Sequence, residues 1–190
     1  FIIRGVSPVF FKQLGHVAPL EILAHRVVWT VIMLAILFQI RGLWPAVRAE
    51  IGSKRKLIAY TATTILIATN WGVFIWAIND QRIVQVSLGY YINPLVNILL
   101  GTLILKETLS RAQWIAVALA GVGIAVLAAG ALTTLWISLT LALSFGSYGL
   151  IRKQLDVGSV PGLTIESALL LLPSLAVAWY YAQTQGSSFA

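Results

Sequence analysis

The sequence has no cysteine, which excludes a disulfide framework, Cys-ligated zinc, iron–sulfur clusters and thiol catalysis. Two histidines are too few for a His-based metal site. Charge is also scarce. Charged residues make up 10% of the 190, against about 25% in a soluble domain. With 13 Lys/Arg and 6 Asp/Glu, the charges are too few to cover the surface of a water-facing globule. The same scarcity excludes disorder, because disordered chains are polar and charged. The only methionine is Met33. Phe1 opens directly into an apolar stretch with no charged lead, so the start does not read as a signal peptide. There is no HExxH, GxSxG, P-loop or paired-Asp motif. An enzyme is therefore not expected, nor any cofactor. Without a P-loop, energy would come from an ion or substrate gradient.

What is present is apolar: 59% of residues, with a mean hydropathy of +0.90. A membrane-spanning helix needs about 20 mostly apolar residues. Six runs meet or approach that length: 20–40, 57–78, 83–105, 112–132, 133–151 and 163–182. The opening run, 1–14, reads as the C-terminal half of a further helix, and the chain as a fragment of a longer protein. The break between 112–132 and 133–151 shows only as Gly130 and Thr133-Thr134. Length forces it, since one span of about 40 residues exceeds any bilayer core. Barrel strands would be shorter, alternating segments. The expected fold is an all-α, polytopic transmembrane helix bundle.

The net charge of +7 and pI near 10.1 invite a nucleic-acid reading, but the charges lie in short gaps between apolar runs. Nine Lys/Arg fall in 41–56, 106–111 and 152–162; two, Lys12 and Arg82, fall in the opposite loops. That bias places the 41–56 side in the cytoplasm. The basic pI reports topology, and no nucleic-acid partner is expected.

Residues 5–14, GVSPVFFKQL, match 146–155, GSYGLIRKQL, at Gly5/Gly146, Lys12/Lys153, Gln13/Gln154 and Leu14/Leu155. A few residues on, Glu21 aligns with Glu166 after a small insertion. The unit is five helices, an odd number, so the second copy enters the membrane in the opposite direction. Inverted repeats are a common transporter architecture, with the substrate site near the midplane between them.

Polar groups inside spans are expensive and invite a functional question. Asn70-Trp71 lies past the middle of its span, where Asn70 either hydrogen-bonds a neighbouring helix or lines a cavity. In 87–101, SLGYYINPLVNILLG, Tyr90, Asn93 and Asn97 share one helical face, and Gly89, Asn93, Asn97 and Gly101 recur at four-residue steps. Pro94 is expected to kink or unwind this helix. The stripe is read as cavity-lining, with a small-residue helix contact as the alternative. Glu21, His25 and Arg26 sit at the outer end of the first full span, as snorkelling groups or as a proton-coupling or anion-attracting mouth. Glu166 holds the symmetry-related place at the inner end of the last span. Arg4, if its helix is complete upstream, lies well inside the membrane. The stripes Gly121/Ala125/Ala129 and Ala112/Ala116/Ala120 read as packing seams, and Trp44 as interfacial belt.

Glu21-Ile22-Leu23-Ala24-His25-Arg26, Asn70-Trp71, the run 87–97 and Tyr148-Gly149-Leu150-Ile151-Arg152-Lys153 resemble the RarD branch of the EamA domain, in the drug/metabolite transporter superfamily. The resemblance implies ten helices in two inverted EamA repeats in the bacterial inner membrane, and a permease linked to chloramphenicol sensitivity. On that comparison 1–132 is the first repeat, with its first helix truncated, and 133–190 opens the second. Arg4 stands where the family usually has Trp, and Lys106-Glu107-Thr108 where it has Gly-Glu-Arg. The expected function is secondary transport of small metabolites or drugs by alternating access. The expected pathway is Asn70, Trp71, Tyr90, Asn93, Asn97 and Tyr148, with Glu21, His25, Arg26 and Glu166 in gating or ion coupling. The expected partners are the lipid bilayer and a small-molecule substrate, with a homodimer left open. The alternative is a non-transporting assembly or regulatory subunit.

Overall fold

The computed structural model describes residues 17–42, 44–130, 132–155 and 158–184. The run 1–14, with Arg4 and Lys12, lies outside the described residues. Among the described residues all regular structure is helical: α1 (Pro19–Arg41), α2 (Trp44–Ile51), α3 (Lys54–Asn79), α4 (Ile83–Ile104), α5 (Arg111–Ala129), α6 (Leu135–Leu155) and α7 (Ser159–Thr184), with a 3-10 turn at Leu132–Thr134. All but α2 are long and apolar enough to cross a membrane. Lengths of 19 to 26 residues correspond to about 29–39 Å at 1.5 Å per residue, the thickness of a hydrocarbon core or slightly more.

Local chemistry places the helix ends. Pro19 sits in the first turn of α1, where its missing N–H has no partner to lose. Gly42, at φ +63°, closes the same helix and returns its N–H to the Phe38 carbonyl. Ser110 and Gln113 cap α5 reciprocally: the Ser110 N–H donates to Gln113 Oε1 at 2.8 Å, and the Gln113 N–H to Ser110 Oγ at 3.3 Å. Gly130 ends α5, and the turn through Thr133-Thr134 starts α6. One element differs from expectation. Residues 41–56, read as a polar connection, contain the short helix α2. Pro45 lies in its first turn, and Val47 is buried with Leu34, Phe38, Tyr60 and Ile165. Eight residues are too few to register by run length. Pro94 lies inside α4 without unwinding it. One proline removes a single ladder bond, and the turns on either side carry the helix through.

α6 packs between α3 and α4, while α7 packs on α1 and α3. The approach of α4 to α6 is close because glycines face it. A Cβ at Gly146 would stand 2.6 Å from Val96 Cγ1, and one at Gly89 3.2 Å from Leu141 Cβ. Ser138 Oγ donates to the Gln85 carbonyl at 2.7 Å across the same interface. α5 is peripheral, with only Ala128 buried. Its Ala116 and Ala120 line a groove beside Pro94, Leu95 and Ile98 of α4. The outward faces carry large apolar side chains such as Trp29, Ile58, Leu103, Leu119 and Leu172, as a lipid-facing surface requires. Trp44 packs edge-on to Phe38 at the end bearing the basic loops, with centroids 5.5 Å apart. At the opposite end Trp76 and Trp136 lie 5.6 Å apart, with Arg82 over Trp76. These are interfacial positions for aromatic rings.

Candidate functional site

Two polar clusters lie within the spanning helices, one towards each end. The first surrounds Glu166. This carboxylate is about two turns into α7 and only 1% exposed. The Tyr148 hydroxyl on α6 donates to Glu166 Oε2 at 3.1 Å. One turn further along α6, Arg152 NH1 stands 3.7 Å from Glu166 Oε1. Arg152 also donates to the Gly158 carbonyl at 3.3 Å. Its guanidinium lies across Gly162, in the first turn of α7, where a Cβ would collide with it. Thr63 of α3 adjoins the same carboxylate and donates its own hydroxyl proton to the Tyr60 carbonyl at 3.0 Å. Below it the Tyr60 hydroxyl donates to Glu50 Oε2 at 3.3 Å, and Lys56 pairs with that oxygen at 2.9 Å. The basic end is thus tied by polar contacts joining α2, α3, α6 and α7. Lys153 adds a bond to Glu107 in the turn after α4.

The second cluster gathers at the opposite end. Arg26 of α1 lays its guanidinium over the Trp71 ring of α3, 4.2 Å from the centroid, a cation–π contact. Tyr90 of α4 lies within electrostatic reach of Arg26 and edge-on to Phe74 of α3, with centroids 6.2 Å apart. Glu21, one and a half turns before Arg26, is 2% exposed. Its Oε2 is buried with no hydrogen-bond partner among the described residues. His25 is half-buried between them.

The remaining expected pathway residues are dispersed. Asn70 donates to the Leu141 carbonyl at 2.9 Å and to Ser144 Oγ at 3.0 Å, tying α3 to α6. Asn93 is half-buried, and its Oδ1 has no partner among the described residues. Asn97 is exposed, with its side-chain oxygen packed over Gly146. Trp71 and Tyr90 therefore meet at one cluster and Tyr148 and Glu166 at the other. Run-length and polarity reasoning passed over Arg152, which it counted only as loop charge, and Thr63. Arg152 follows Tyr148 by four residues, so one α6 face carries both. Thr63 carries no sequence signal. No group of His, Cys, Asp and Glu among the described residues is arranged to hold a metal ion.

The sequence was compared with known proteins. The EamA-like transporter family matches residues 1–129. The chain belongs to this family. An uncharacterized transporter of Vibrio cholerae is 45% identical over 175 residues, covering 91% of this chain and 57% of that protein. Protein RarD of Streptomyces exfoliatus is 44% identical over 187 residues, covering 98% of this chain and 59% of the relative. Protein RarD of Escherichia coli is 40% identical over 184 residues, covering 93% and 60%. The chain thus spans somewhat under two thirds of the length of the curated relatives it matches. No solved structure matches it. The resemblance to the RarD branch is borne out by these relatives. An EamA-family chain with six helices fit to cross a bilayer is a multi-pass membrane protein.

Proposed function

We propose that the full-length protein is a secondary transporter of small metabolites or drugs in the bacterial inner membrane. It would work by alternating access between two inverted repeats, residues 1–132 belonging to the first and 133–190 opening the second. The observation that carries this reading is the unequal state of two repeat-matched carboxylates. Glu166 is buried and held by Tyr148 and Arg152 at the basic end. Glu21, its counterpart at the opposite end, is equally buried; each carboxylate has one oxygen without a hydrogen bond among the described residues, but Glu21 makes no ion pair there. Inverted copies of one element in unequal surroundings are what a transporter tied shut at one end would contain. On this reading the Glu166 cluster is the closed latch, and Glu21 with His25 belongs to the gate that closes in the other state. Trp71, Tyr90, Asn93 and Asn97 face the pathway, with Asn70 and Tyr148 behind it.

The test is reconstitution of the full-length protein in liposomes and measurement of flux with and without a pH gradient. Chloramphenicol, which the RarD resemblance singles out, is the first solute to try. Saturable flux that drops with Asn93→Ala and Asn97→Ala supports the reading. Saturable flux untouched by either change would sink the pathway assignment. Flux absent alone, with a stoichiometric partner co-purifying, would favour an assembly or regulatory subunit. Non-saturating flux would mark a channel.

A further inference from the structure

We propose that Arg26, Trp71 and Tyr90 form a binding site for an organic anion with a flat apolar body, in chemical terms an arene carboxylate. This names the substrate class of the pathway above and rests on that reading only for the claim that the anion is carried. Three helices bring the groups to one depth. Arg26 is seven residues from the start of α1, Trp71 eight from the end of α3 and Tyr90 seven from the start of α4. At 1.5 Å per residue, each is about 10–12 Å below the helix ends. A snorkelling arginine sends its guanidinium back to the nearby interface. This one reaches sideways instead, onto the indole of α3.

Arg26 makes no ion pair among the described residues. Of six acidic residues in the sequence, Glu50 pairs with Lys56, Asp80 with Arg82, Glu107 with Lys153 and Glu166 with Arg152. Asp156 lies outside the described residues. Glu21 is on the same helix as Arg26 but makes no ion pair with it. Among the described residues no carboxylate is within 4.0 Å of the Arg26 guanidinium. An arginine stays charged in any protein setting, and a charge at membrane depth calls for a counter-charge or water. Stacking on Trp71 satisfies one face of the guanidinium only. A planar guanidinium carries its N–H donors in a fixed fork, the geometry that grips a carboxylate with two parallel bonds. Tyr90, more than half exposed, offers a phenol beside them. Beside it the rings of Tyr90 and Phe74 stand edge-on, with centroids 6.2 Å apart, an apolar surface on which a flat body attached to the acid could lie.

The experiment uses the full-length protein in phosphatidylcholine nanodiscs and calorimetric titration with benzoate, benzamide and benzylamine. These probes share a ring and differ in charge. Benzoate is expected to bind at least about tenfold tighter than benzamide, since one charge-assisted bidentate pair supplies that much. Benzylammonium should be rejected. Arg26→Gln should bring benzoate down to the level of benzamide, and retained benzamide binding would show that the variant is folded. Arg26→Lys should restore only part of the preference, because an ammonium cannot lie flat on the indole while gripping both oxygens. Equal affinity for benzoate and benzamide overturns the proposal, as does a benzoate preference that survives Arg26→Gln. Loss of benzoate binding when phosphatidylglycerol is added to the disc also overturns it, by assigning the site to a lipid headgroup. Binding and flux separate the two readings. Anion-selective binding without flux keeps the site and removes the transporter; chloramphenicol flux without anion selectivity does the reverse.

Discussion

Tyr148→Phe deletes one hydroxyl and leaves the ring in place. That hydroxyl donates to Glu166 Oε2 at 3.1 Å, and Glu166 is 1% exposed, so water is poorly placed to replace the donor. Interhelical hydrogen bonds in membranes are worth about 0.6 kcal/mol on average and up to about 1.7. An ionised acceptor roughly doubles a hydrogen bond. The expected cost of Tyr148→Phe is therefore about 1.5 kcal/mol, or about tenfold in the unfolding equilibrium. Glu166→Gln keeps the volume and still accepts from Tyr148, but gives up the charge facing Arg152. The Arg152 side chain is 12% exposed. Leaving a buried charge without its partner costs about 3–5 kcal/mol. The separation of 3.7 Å is longer than a hydrogen bond, which argues for the low end, about 3 kcal/mol. In the double variant the tyrosine is removed from a neutral amide, where its bond is worth about half as much. The cycle should therefore show a coupling of about 0.7 kcal/mol. The assay is equilibrium unfolding of the full-length protein in mixed micelles, followed by tryptophan fluorescence. Additivity within about 0.5 kcal/mol would refute the claim that the two groups act as one cluster.

Two further outcomes follow from backbone positions. A Cβ at Gly162 collides with the Arg152 guanidinium, the movable end of a long side chain. Gly162→Ala should therefore leave the protein folded, its helix gaining up to about 1 kcal/mol of propensity, while pushing Arg152 away from Glu166. Its flux should change in the same direction as that of Arg152→Gln, and flux equal to wild type would separate Arg152 from the latch. Lys106 has φ +56°, a left-handed conformation that costs an L-residue about 1–2 kcal/mol. Lys106→Gly should raise stability by about 0.5–1 kcal/mol after glycine's own entropy loss. Thermal unfolding checks this, and a lower midpoint would contradict it.

The spans were legible because a bilayer imposes their length. Even the weak break at Gly130 and Thr133-Thr134 lies where the helices part. Helix α2 was not legible, since eight residues held by Val47 against Phe38 and Tyr60 show neither length nor period. The glycine at the family's usual place before Glu107 becomes intelligible only with the φ of Lys106 in hand. Polarity in a span marks a residue for attention without saying what it touches. Asn70 was left between glue and cavity, and its two bonds to α6 are of the first kind. Glu166 was singled out by the repeat, whereas Thr63 reaches it only through the packing of α3 on α7. Sequence spacing cannot contain a contact between residues about a hundred positions apart.

The two ends of the bundle hold the same kinds of group in different balance. At the basic end a carboxylate, a guanidinium and a phenol form one buried set, Glu166, Arg152 and Tyr148. At the opposite end are a carboxylate, a guanidinium and a phenol again, Glu21, Arg26 and Tyr90. There the guanidinium lies on Trp71 and one carboxylate oxygen is unpartnered among the described residues. In the first set the three groups contact one another, although Glu166 Oε1 makes no hydrogen bond among the described residues. In the second the Arg26 guanidinium has no carboxylate within 4.0 Å among the described residues. On the proposal above, a solute anion would pair with the Arg26 guanidinium, at the end that the Glu166 cluster does not tie. The same logic makes Arg26 and Arg152 unequal under mutation. Loss of Arg152 should disturb the tie between helices, while loss of Arg26 should disturb the choice of solute.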